Sequence, residues 1–60
     1  MSFKEFIKKR RIAKIKHLEE FQGVLLMLVE HADDEEEREL CEMLVDDNIK
    51  QIEKIRSKIQ

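Results

Sequence analysis

HADDEEE, residues 31 to 37, is the stretch on which the fold turns. A break there makes the chain two helices folded back on each other. Without a break it is one long helix. Asp33 followed by Glu36 has the spacing of a capping box, in which a side-chain oxygen accepts from an amide three residues on. Asp34, Glu35 and Glu37 add negative charge to the same turn, where the positive end of a helix dipole favours it. No proline or glycine forces a turn here, so one continuous helix is the competing reading. The capping pattern favours a break. It predicts helix one over about residues 3–31, a turn at about 32–34 and helix two over about 34–58, in a single helical-hairpin domain spanning 1–60.

Working outward, Ser2 and Glu5 repeat the capping spacing at the start of helix one. Lys54, Arg56 and Lys58 fall in the last turns of helix two, where the negative end of the dipole favours cations. The chain has no proline, one glycine and 43% charged residues. Such a composition with helical periodicity points to coiled coil or long helix. Sixty residues bury only about 60% of their unfolded surface, so a lone domain of this size is marginal. Small domains usually add a disulfide, a metal or a partner. Cys41 is the single cysteine, so no intrachain disulfide forms. Cys41, His17 and His31 fit no metal-ligand spacing. No cofactor is expected, and the remaining device is a partner, most simply a second copy.

Helix two carries one apolar stripe, Cys41, Val45, Ile52, Ile55 and Ile59, with Leu44 and Ile49 at its edges. The spacings of three, four and seven are those of an amphipathic helix. Asn48 falls inside the stripe, either as a buried amide that fixes register or as an edge residue touching water. Helix one has two faces. Leu18, Phe21, Leu25, Leu28 and Ala32 form one, expected at a dimer interface. Ile12, Ile15, Leu26 and Val29 form the other, expected against helix two. In the hairpin, facing positions sum to about 67, pairing Ile12 with Ile55, Ile15 with Ile52 and Gly23 with Leu44. Gly23 would give Leu44 room. GVLLMLV, residues 23 to 29, would be covered partly by helix two and partly by another subunit. The fold expected is therefore all-α, an antiparallel two-helix hairpin dimerising into a four-helix bundle.

Charge is segregated along the chain. Residues 1–18 carry plus six, residues 19–47 minus eleven and residues 48–60 plus three. A hairpin brings both termini to one basic end and leaves an acidic turn at the other. An antiparallel dimer sets each acidic turn beside its partner's basic end, an attraction screened over a Debye length of roughly 8 Å.

Phe3, Phe6 and Ile7 are apolar anchors with Lys8, Lys9, Arg10 and Arg11 on their rim. They are the expected contact with a protein target, as anchors for a helix-in-groove complex. The alternative is a nucleic acid, whose phosphates Lys8, Lys9, Arg10, Arg11, Lys14 and Lys16 would hold without reading sequence. A membrane surface is disfavoured, and no catalytic pocket is expected. The apolar run is far too short to span a bilayer. MSFKEFIKKRR has no apolar segment after its charges, so the expected location is cytoplasmic.

The acidic turn followed by Glu36, Leu40, Cys41, Glu42, Leu44 and Asp46 resembles the Rop family of antiparallel dimers of helical hairpins. The resemblance implies a Rop-like architecture. That family's RNA contacts come from its first helix, and helix one here shows no residue-by-residue match. The resemblance therefore implies fold and not RNA binding. The function expected is that of a small non-enzymatic regulatory or inhibitory protein, acting as a homodimer by helix-mediated protein–protein interaction.

Overall fold

The computed structural model describes residues 2–59. Helix α1 spans Phe3–Glu30 and helix α2 spans Glu35–Ile59, and no strand occurs among the described residues. The two helices pack against each other along their length as a rod of 49 × 15 × 11 Å.

Each helix begins where a short polar side chain satisfies an amide that lacks an intrahelical acceptor. The Ser2 hydroxyl accepts from the Glu5 amide at 3.2 Å. At α2 the Asp34 carboxylate accepts from the Glu37 amide at 2.7 Å. The cap is thus Asp34 with Glu37, one residue later than the Asp33–Glu36 spacing suggests. Helix α1 ends at His31, whose amide donates to the Met27 carbonyl at 3.0 Å. The chain reverses over residues 31–34 without a positive φ angle at any non-glycine residue. This is why no glycine is needed there.

A coiled-coil seam joins the helices. On α1, Arg11, Ile15, Leu18, Gln22, Leu25 and Val29 are buried or half-buried, as is Ala32 just past its end. On α2 the same holds for Cys41, Val45, Asn48, Ile52, Ile55 and Ile59. Both sets alternate by three and four, the heptad spacing that keeps one narrow stripe facing a partner helix. Ile15, Leu25 and Ile52 form the closed centre, with Leu25 only 2% exposed. Burying a leucine of this kind stabilises by roughly 2–3 kcal/mol.

Asn48 is 4% exposed. Its side-chain amide donates to the Leu18 carbonyl at 2.8 Å and lies 3.4 Å from the Gln22 side-chain oxygen. A buried amide left unpaired would cost about 1–3 kcal/mol, so these bonds make its burial tolerable. Asn48 is a seam residue and not an edge residue. Its two partners place it level with the stretch between Leu18 and Gln22, so facing positions sum to about 68.

The seam on α1 draws from both of the faces that the sequence suggests. Leu18, Leu25 and Ala32, expected at a dimer interface, face α2 beside Ile15 and Val29. Phe21 and Leu28 from the same set are each 50% exposed. Ile12, expected against Ile55, is also 50% exposed; Arg11 occupies the seam position next to it. The pairing of Gly23 with Leu44 does not occur. A Cβ on Gly23 would meet nothing within 4 Å, and Leu44 is 45% exposed.

Candidate functional site

The antiparallel pairing brings the first turns of α1 beside the last turns of α2. Between them lies an open cleft of about 650 Å³, lined by Phe3, Lys4, Ile7, Lys8, Arg11, Lys58 and Ile59. Its floor is apolar, from Ile7 and Ile59. Four cations ring it, Lys4, Lys8, Arg11 and Lys58. Among the described residues, no acidic side chain lines it.

One of those cations also holds the cleft together. The Arg11 guanidinium donates to the Lys58 backbone carbonyl at 3.2 Å. The last carbonyls of a helix have no intrahelical donor, and a cation there also meets the negative end of the dipole. Arg11 thus caps α2 from α1 and fixes the width of the cleft. Phe3 is the exposed wall, 78% open to solvent. Such exposure of a large ring is uneconomical for a folded chain unless something covers it.

The residues expected from sequence at a protein contact divide into three groups. Phe3, Ile7, Lys8 and Arg11 converge on the cleft. Phe6 and Arg10 face each other instead, with the guanidinium 5.9 Å from the ring centroid, within cation–π range. Lys9 is exposed and does not line the cleft. Lys4, Lys58 and Ile59 belong to the site although sequence reasoning passed over them. The signal was available: a facing sum of about 67 sets Ile59 opposite Lys8.

The basic segment does not present a single row. Arg10 and Lys14 line one flank of the hairpin with Ile7, Arg11 and Ile55. Lys9 and Lys16 lie about 140° and about 160° away from Lys14 around α1, at 100° per residue. A helix laid along a duplex would use one of these sets and leave the other in solvent.

His17 and His31 are both exposed, and fourteen residues of helix separate them by about 21 Å. Cys41 is half-buried in the seam as a free thiol. The three do not converge. Among the described residues no group of three or more His, Cys, Asp or Glu side chains is placed to hold a metal ion. No helix among them is long and apolar enough to cross a membrane.

No protein-family model, curated protein or solved structure matches the chain. The Rop-like pattern after the turn therefore carries no family assignment.

Proposed function

We propose that the protein is a small non-enzymatic regulator or inhibitor that acts by helix-mediated contact with another protein. The observation that supports this is the terminal cleft, with its apolar floor, its ring of cations and the open Phe3 wall. The partner that fits is an acidic segment with apolar anchors, its large side chains on Phe3, Ile7 and Ile59 and its carboxylates near Lys4, Lys8 and Lys58. Apolar anchors supply the affinity, and the charged rim favours acidic partners and speeds encounter.

Nucleic acid is the second candidate partner. Lys8, Lys9, Arg10, Lys14 and Lys16 would supply phosphate contacts, but they point to different flanks, and Arg11 is engaged with α2. The protein reading accounts for the phenylalanines, and the nucleic-acid reading does not.

The test is the double variant Phe3→Ala, Phe6→Ala. Binding to an acidic amphipathic helical peptide, followed by fluorescence anisotropy, is expected to weaken by about tenfold or more, since the Phe3 wall of the cleft is lost together with the neighbouring Phe6 ring. Helix content by circular dichroism is expected to stay at the parent value, because neither ring lies in the buried seam. Loss of helix content would show the rings to be part of the core and end this reading. Tight, salt-sensitive binding to duplex RNA that the double variant retains would favour the nucleic-acid reading instead.

A further inference from the structure

The outer side of the turn half carries a second apolar surface. Glu19, Gln22, Ile49, Ile52, Glu53 and Arg56 line a shallow cleft on one flank of the hairpin. At 100° per residue, Phe21, Val24 and Leu28 lie about 140–200° away from Glu19 around α1. Leu40, Met43 and Leu44 lie about 120–180° away from Ile49 around α2. Both sets therefore share the opposite flank. They are also level with each other, because facing positions sum to about 68: Val24 is beside Leu44, and Leu28 is beside Leu40. The six are 50%, 51%, 50%, 59%, 67% and 45% exposed in chain order.

We infer that this flank is where two copies of the chain associate, antiparallel and staggered, with the two-fold axis passing near Val24 and Leu44. The six side chains offer on the order of 500 Å² of apolar surface, in the upper range of what soluble monomers expose. A stable interface needs about 800 Å² per partner, so the charged residues beside the patch must be covered too. Those charges select the partner and its direction. The patch centre lies about eight residues, or about 12 Å, from the turn. In an antiparallel pair the acidic turn of one copy then reaches about 25 Å from the turn of the other. That is the level of Lys14 and His17 on α1 and Lys50 on α2. A parallel pair would set Glu36 and Glu37 against their own counterparts. The terminal cleft lies beyond the reach of the partner's turn, so each copy keeps it open. This inference does not rest on the partner proposed for that cleft.

The experiment is sedimentation equilibrium on the full chain and on two charge-reversal variants, with circular dichroism on each. One variant is Lys14→Glu, Lys50→Glu; the other is Glu36→Lys, Glu37→Lys. The parent is expected to reach twice the 7.3 kDa chain mass as concentration rises. Each variant alone is expected to self-associate about tenfold more weakly or worse, because two like-charged sets face each other across each pair. An equimolar mixture of the two is expected to recover the parent's mass, since every turn again meets the opposite charge. A parent that stays at 7.3 kDa throughout overturns the inference. So do variants that each dimerise like the parent, or helical variants whose mixture stays monomeric.

Discussion

Leu25 and Leu26 are neighbours in sequence and identical in chemistry, yet one is 2% exposed and the other 51%. They stand for two regions, the seam between the helices and the outer surface. On α2 the two regions have different compositions over most of the helix. On α1, from Phe21 to Val29, they do not, because large apolar residues occupy every side. The difference teaches that hydrophobicity alone does not locate the seam on α1. What does locate it is where the partner helix puts its own stripe.

The sharpest way to break the comparison is to shorten both leucines in turn. Leu25→Ala removes a side chain enclosed by both helices and is expected to cost about 3 kcal/mol, enough to lose most of the folded population of so small a domain. Leu26→Ala is expected to cost less than about 1 kcal/mol. Urea unfolding at a single low protein concentration measures both. Equal losses would mean that Leu26 is covered in solution. A smaller effect belongs to Asn48→Ala, which leaves a gap and removes the bond to the Leu18 carbonyl; the expected loss is about 1–2 kcal/mol by the same measurement. An unchanged midpoint would show the amide to be solvated. One further substitution has the opposite sign. Gly23→Ala is expected to stabilise by about 1 kcal/mol, since alanine favours helix and its methyl would enter open space. A loss of stability there would mean that something packs closely over Gly23 after all.

The two helices were unequally legible for a physical reason. The apolar residues of α2 sit on one side of a charged helix, so Cys41, Val45, Ile52, Ile55 and Ile59 announce the seam directly. On α1 the seam contains Arg11 and Gln22. Both look like surface residues until their partners are known, the Lys58 carbonyl for one and the Asn48 amide for the other. Reading apolar residues only, two adjoining heptad rows look like two separate faces. A search for unbroken alternation of three and four would have joined Arg11, Ile15, Leu18, Gln22, Leu25, Val29 and Ala32 into one stripe. Half of the terminal cleft was readable from Phe3, Ile7, Lys8 and Arg11. Of the rest, Lys58 and Ile59 arrive from the far end of the chain through the pairing of the helices.

The antiparallel packing of the rod has an electrical consequence. The backbone dipoles of α1 and α2 point in opposite directions and largely cancel. The side-chain charges do not cancel, since both basic segments lie at the terminal end and the acidic segment lies at the turn. The molecule is thus a bar with a permanent moment along its 49 Å axis. Another charged body approaching it exerts a torque before any surfaces meet, so orientation is chosen during the approach. Added salt shortens the range of that torque. It slows the encounter and leaves the rate of departure nearly unchanged.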